Sequence, residues 1–212
     1  MRGGAPVRWI EAAGVAALLL CAGAGRAEAQ SSLADYDYAN LGLQAIGAEV
    51  FWVDASQNDG TLGIGARADF GFLGPFIRIV PRFAWWEADV NDSDVRELEE
   101  SLAETCTGDC TIALGSIERT AVVLGLDAQW TLADPALRPY LGVGLDVYLL
   151  DDSGAAIEDT FLDDTVVTAG ASGVLGLELN FQRHWRVYTE VRGTLVTDAN
   201  NWNLTGGFAW RP

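Results

Sequence analysis

An all-β chain, eight antiparallel strands closed up-and-down into a membrane-spanning barrel, is the fold predicted for these 212 residues. Three observations predict it. Apolar residues recur at every second position over eight segments, which is the period of a strand because successive side chains point to opposite faces. The connections between the segments alternate between short and long. The face opposite the apolar one carries arginines and carboxylates in matching numbers, with glycines between them.

The chain opens on a segment with a different purpose. Residues 1–29 read as a secretory signal, with Arg2 and Arg8 ahead of the apolar run AAGVAALLLCAGAG and the small-residue site Ala27-Glu28-Ala29 before Gln30. Cleavage after Ala24 is a second reading. Cys21 follows Leu20, whereas a lipid-modification site takes a small residue before its cysteine. Residues 30–40 form a short leader and 41–212 the barrel domain. No apolar run reaches the length of about eighteen residues that a membrane helix needs.

The eight segments are 41–54, 60–73, 76–90, 116–132, 138–150, 166–181, 185–197 and 201–211. Each is long enough for a tilted strand of about 9–11 residues to cross a bilayer. In the first, Ile46, Ala48, Val50 and Trp52 make one face; Leu41 and Leu43 are out of phase with them, so a bulge or a later start is expected. The second sets Leu62, Ile64, Ala66, Ala68, Phe70 and Phe72 against Arg67, Asp69 and glycines. The third sets Ile77, Ile79, Phe83 and Trp85 against Arg78 and Arg82. The fourth places Arg119, Asp127 and Gln129 on its polar face, and the fifth, RPYLGVGLDVYLLDD, places Asp146 opposite Leu141, Val143, Leu145, Val147 and Leu149. The last three contribute Glu178 and Asn180, then Arg186, Glu190 and Arg192, then Asn203 and Thr205.

Short connections, FLGPF, LADPALR and FQRH, follow the second, fourth and sixth segments, and mostly longer polar ones follow the others. Short periplasmic turns with longer extracellular loops are the pattern of outer-membrane barrels. The longest loop, after the third segment, predicts a short helix capped by Asp92 or Ser93 with Val95, Leu98 and Leu102 on one face. Cys106 and Cys110 in CTGDC fit a short-loop disulfide of an exported protein better than a metal site, since two thiols and one aspartate without histidine make a poor zinc set. The long loops are acidic, so the net charge of −17 gathers at one rim. Divalent cations are candidate partners there, and a solvated rim is the plainer alternative.

The direction of the apolar face decides the class. All thirteen basic residues are Arg, and no Lys is present. Six of them (Arg67, Arg78, Arg82, Arg119, Arg186, Arg192) share the polar face with six carboxylates (Glu49, Asp69, Asp127, Asp146, Glu178, Glu190). Such matching suits an interior, where each buried charge costs several kcal/mol unless it is paired. On the apolar face Phe72, Trp130, Phe181, Trp185 and Trp210 fall beside the short turns, and Trp52, Trp85 and Trp202 toward the long loops. Two aromatic belts bracketing an aliphatic band mark the bilayer interfaces. The apolar face is therefore expected to meet lipid; a soluble ligand-binding barrel with the reverse sense is the competing fold.

From residue 40 onward the chain resembles the small eight-stranded outer-membrane barrels of the OmpA-like and OmpX-like type, on its architecture, the RPYLGVGLD strand and the closing WNLTGGFAWRP. One departure is that such barrels typically finish on an aromatic residue, whereas Arg211 and Pro212 follow Trp210. The resemblance implies an outer-membrane location. A barrel of eight strands is wide enough only for side chains or one small ligand. The expected function is therefore structural or surface interaction around a charge-plugged lumen, in a monomer that meets the bilayer and lipopolysaccharide, with no cofactor and no resident metal. A conduit for small or apolar solutes, similar to the OmpW-like branch, is the alternative, with Pro81 as its one sequence feature. A lipid A-modifying enzyme is disfavoured, because the single His184 lies in a short turn. Nucleic acid is excluded as a partner by the acidic charge.

Overall fold

The computed structural model describes residues 41–73, 76–105, 112–132, 136–154, 165–181, 183–196 and 200–212. Eight strands, β1 (Leu41–Ala55), β2 (Thr61–Leu73), β3 (Ile77–Asp89), β4 (Glu118–Thr131), β5 (Leu137–Ser153), β6 (Val166–Phe181), β7 (Trp185–Val196) and β8 (Asn201–Trp210), pair with their sequence neighbours. β1 then pairs antiparallel with β8, which closes the barrel and leaves no edge strand. The expected signal, the leader and the pair Cys106 and Cys110 lie outside the described residues.

The alternation read from the sequence settles which face is inside. Leu141, Val143, Leu145, Val147 and Leu149 of β5 are all exposed, Leu145 to 71%, while Gly142, Gly144, Asp146 and Tyr148 between them, and Tyr140 before them, are buried. Ile64, Leu126, Leu175, Val191 and Leu204 are exposed in the same sense on their strands. A surface of this kind is incompatible with water and suits hydrocarbon. The reverse barrel, apolar side inward, is not the fold of this chain.

Two irregularities interrupt the ladder, both near the short-turn end. Leu41 faces Gly71 while Ala45 faces Asp69, so Gly42 to Gln44 stand opposite Phe70 alone, and the phase slip of Leu41 and Leu43 is a bulge. On the other side of β2, Arg67 faces Arg82 and Phe72 faces Arg78, a one-residue excess on β2. Gly71, at φ 80°, adopts the left-handed backbone that this bulge requires and that glycine takes without steric cost.

The connection between β3 and β4 carries helix α1 (Asp92–Thr105), with Asp92 and Asp94 in its first turn. Val95 packs on Leu114 and Ile117, with Val90, Leu98, Leu102 and Ile112 around them. The Leu114 N–H donates to Glu99 Oε1 at 2.7 Å and ties the helix to the returning chain. The loop thus has a small core of its own, outside the barrel.

Candidate functional site in the barrel lumen

Every strand except β8 sends at least one charged side chain into the lumen. Taken from the short-turn end, the first group is Asp69 (β2), Arg78 (β3), Glu178 (β6) and Arg186 (β7). Arg78 meets Glu178 at 2.5 Å and Asp69 at 3.6 Å, and Arg186 meets Asp69 at 2.5 Å and Glu178 at 3.6 Å. The four make a closed ring of alternating sign. Each carboxylate has two cations and each cation two carboxylates, so no charge in this low-dielectric space stands alone.

A second group lies beyond it. Arg67 reaches Glu49 at 2.5 Å and Glu190 at 2.8 Å; Arg192 continues from Glu190 (3.4 Å) to Asp146 (3.7 Å); Arg82 returns from Asp146 (3.3 Å) to Glu49 (3.9 Å). These six close a wider ring, and Asp127 is bound to Arg192 from outside it at 2.6 Å. All seven residues are buried. Gln129 joins the two groups as a neutral bridge, accepting from Arg78 at 2.7 Å and donating to Asp127 at 3.2 Å.

Aromatic side chains hold the arginines in place. The Arg67 guanidinium lies 3.9 Å from the centre of the Tyr188 ring, and Arg78 lies 5.3 Å from that of Tyr140. The two hydroxyls then donate to carboxylates: Tyr188 to Glu49 at 3.0 Å and Tyr140 to Glu190 at 2.7 Å. Neighbouring glycines make this possible, since a Cβ at Gly176 would strike the Tyr140 ring and one at Gly207 the Tyr188 ring.

Arg119 stands apart from the other eleven charges singled out in the sequence. It is at the long-loop mouth of the lumen, where it grips both oxygens of Asp152 at 2.6 and 2.7 Å and donates to Gln57 at 3.1 Å. Between Arg119 and the wide ring lies a tier that polarity matching alone does not predict. Phe51, Val53, Ala84, Trp86, Ala88, Ala121, Val123 and Tyr148 are packed there as an apolar core. Its trace in the sequence is the loss of alternation in FWV, FAWW and AVVL, where strands β1, β3 and β4 are apolar on both faces.

Two small cavities lie among the described residues of the lumen. A cavity of about 20 Å³ lies beside the lower ring, bounded by Arg67, Arg78, Glu178, Arg186 and Tyr188, and another of about 20 Å³ lies between the apolar tier and the mouth, bounded by Trp86, Tyr148 and Arg119. Each has room for a water molecule and not for a solute. Among the described residues no group of three or more His, Cys, Asp or Glu has the geometry of a metal site. His184 lies in the turn between β6 and β7 with Nδ1 3.2 Å from the Arg211 carbonyl.

On the outer surface Trp130, Phe181, Trp185 and Trp210 are exposed at the short-turn end; Phe72, beyond the β2 bulge, is half-buried and stands in register with the lumen residue Arg78. Trp52, Trp85 and Trp202 are exposed toward the long loops, with Trp202 Nε1 donating to Asp54 at 3.1 Å.

Solved structures with this architecture are the N-terminal β-barrel domain of OprF from Pseudomonas aeruginosa (15% identity, TM-score 0.50, covering 80% of this chain and 98% of that one) and Neisserial surface protein A (12%, 0.53, 79% and 96%). A third is Ail, the attachment invasion locus protein of Yersinia pestis, in complex with the heparin analogue sucrose octasulfate (8%, 0.52, 81% and 99%). At these identities the likeness is one of fold. Curated protein sequences give no match. The family model described as the outer membrane protein beta-barrel domain matches residues 14–211. This chain belongs to that family of outer-membrane β-barrels.

Proposed function

We propose that the protein is a closed, non-conducting barrel that serves the outer membrane as a structural and surface-interaction element. The observation that carries this reading is the succession of barriers along one axis: a ring of four charges, a wider ring of six with Asp127 attached, and an apolar tier containing Phe51, Trp86 and Tyr148. An ion would have to break paired charges and then cross the apolar tier, and each step is costly. Nothing in this reading requires catalysis, a cofactor or a second copy of the chain.

The interaction surface is the acidic long-loop end. Asp59, Glu87, Asp89 and Glu118 border a depression of about 240 Å³ at the ends of β2, β3 and β4, just beyond the exposed Trp85. This is the level of the lipid headgroups, where divalent cations would bridge these carboxylates to lipopolysaccharide phosphates. Solute uptake by proteoliposomes tests the closed lumen, with no uptake above empty vesicles as the expected result. Calcium-dependent retention of lipopolysaccharide, lost in a Glu87→Gln/Glu118→Gln variant, tests the surface role.

A second reading, a lateral path for an apolar solute, has one structural feature in its favour. Pro81 lies where the β2–β3 ladder shifts register, and it lacks a backbone N–H. If the seam is a path, Pro81→Ala abolishes uptake of an apolar probe; uptake that is absent in the wild type, or unchanged in the variant, rules the path out.

A further inference from the structure

The short-turn end of the barrel collects positive charge. Arg138 lies at the start of β5, Arg183 and His184 lie in the turn between β6 and β7, Arg211 follows β8, and Arg186 sits one step inward in the lower ring. Trp185 and Trp210 face each other in register on the outer surface, and the ladder continues past them. The Arg211 N–H donates to the His184 carbonyl at 2.8 Å, and Arg211 Nη2 donates to Asn180 at 3.0 Å. The last arginine of the chain is thereby folded back onto the rim of the lumen. Its Nε is buried and makes no hydrogen bond.

This arrangement crowds like charges. Burial pushes the Arg211 guanidinium below its ordinary pKa, and Arg186 and Arg138 add to that shift while Glu178 and Asp69 oppose it. Both of those carboxylates are already engaged, each by Arg78 and Arg186. A buried donor without an acceptor, on a cation beside two other cations, is relieved by an anion that accepts several N–H bonds at once. Guanidinium forks match the oxygens of phosphate in this way.

We propose that the short-turn mouth is a binding site for a phosphate-type oxyanion, held by Arg211 with Arg138 and Arg183 at the rim. In outer-membrane barrels the short turns face the periplasm. The phosphate then comes either from a phospholipid headgroup of the inner leaflet, at the level of Trp185 and Trp210, or from a soluble phosphate. The site rests on the fold and its orientation and is independent of whether the lumen conducts.

The full chain, refolded into vesicles, is heated in steps, and the folded fraction is read from its gel mobility. Inorganic phosphate is compared with chloride at equal ionic strength in phosphatidylcholine vesicles, and phosphatidylglycerol vesicles with phosphatidylcholine ones. The expected result is a higher midpoint with phosphate, with phosphatidylglycerol or with both, abolished in Arg211→Gln and reduced in Arg183→Gln. A response to inorganic phosphate identifies a soluble ligand, and a response to phosphatidylglycerol alone identifies the headgroup. Identical midpoints for the wild type in all conditions overturn the site, as does a shift that both variants retain. Arg183 is an exposed turn residue, so its variant keeps the test decisive if Arg211→Gln fails to fold.

Discussion

Arg192 on β7 and Asp127 on β4 meet across the lumen in a two-pronged contact, with Nη1 donating to Oδ1 at 2.9 Å and Nη2 to Oδ2 at 2.6 Å, and both residues are 1% exposed or less. A bidentate pair is the strongest form of such a contact, and it joins two strands, β4 and β7, that are not neighbours in the sheet. Removing one partner leaves a buried charge without compensation. Arg192→Met is predicted to cost about 3–5 kcal/mol of unfolding free energy in urea titrations in vesicles. The double variant Arg192→Met/Asp127→Asn recovers a large part of that loss, because the pair and not the cation is what the site requires.

The outward face makes the opposite prediction from a water-soluble protein. Leu145 is 71% exposed near the middle of β5, so in water an arginine there would be nearly neutral. In a bilayer Leu145→Arg is predicted to destabilise the barrel by about 2–4 kcal/mol. The same substitution at Val166, at the long-loop end of β6, costs about 0–1 kcal/mol, as expected near an interface. Equal small effects at both positions would contradict the placement of the membrane.

Glycines inside and outside the barrel separate by what surrounds them. A Cβ at Gly176 would collide with the ring and hydroxyl of Tyr140 and disturb its bond to Glu190, whereas one at Gly173 meets nothing within 4 Å. Gly176→Ala is predicted to cost about 1–3 kcal/mol. Gly173→Ala stays within about 0.5 kcal/mol of the wild type. Both are read from the same urea titration.

The α1 loop has its own core, and its failure leaves the barrel intact. Val95→Asp places an unpaired charge among Leu114, Ile117 and Leu98. Protease added to intact cells is predicted to cut this variant between β3 and β4 while sparing the wild type. The heat-shifted barrel band persists after cleavage of the loop.

Much of this fold is legible in the sequence because a closed sheet writes its two faces on alternate residues. Leu141 through Leu149 identify the lipid side of β5, and the slip at Leu41 and Leu43 marks the bulge opposite Phe70. The charged residues of the lumen follow from the same phase. Their partners do not, because Arg67 and Glu190 are 123 residues apart, and which pair meets across the lumen depends on strand register and on side-chain reach. Arg119 illustrates this: it shares the phase of Asp127 but binds Asp152 at the mouth. Tyr140 and Tyr188 also carry no sequence signal for their role, since a tyrosine in a strand is ordinary until an arginine is found over its ring. The apolar tier is missed for a third reason: near the long loops both faces of the sheet are buried, one by lipid and one by the lumen, so the alternation that marks the rest of the barrel vanishes around Phe51 and Trp86.

Single-molecule conductance across a planar bilayer tests the closed lumen most directly. The wild type is predicted to insert without steady ion current, and simultaneous replacement of Phe51, Trp86 and Tyr148 by alanine with Arg82→Ala and Arg78→Ala, which breaches each barrier in turn, is predicted to open a measurable leak. Stable, long-lived current steps from the wild type would contradict the proposed closed lumen.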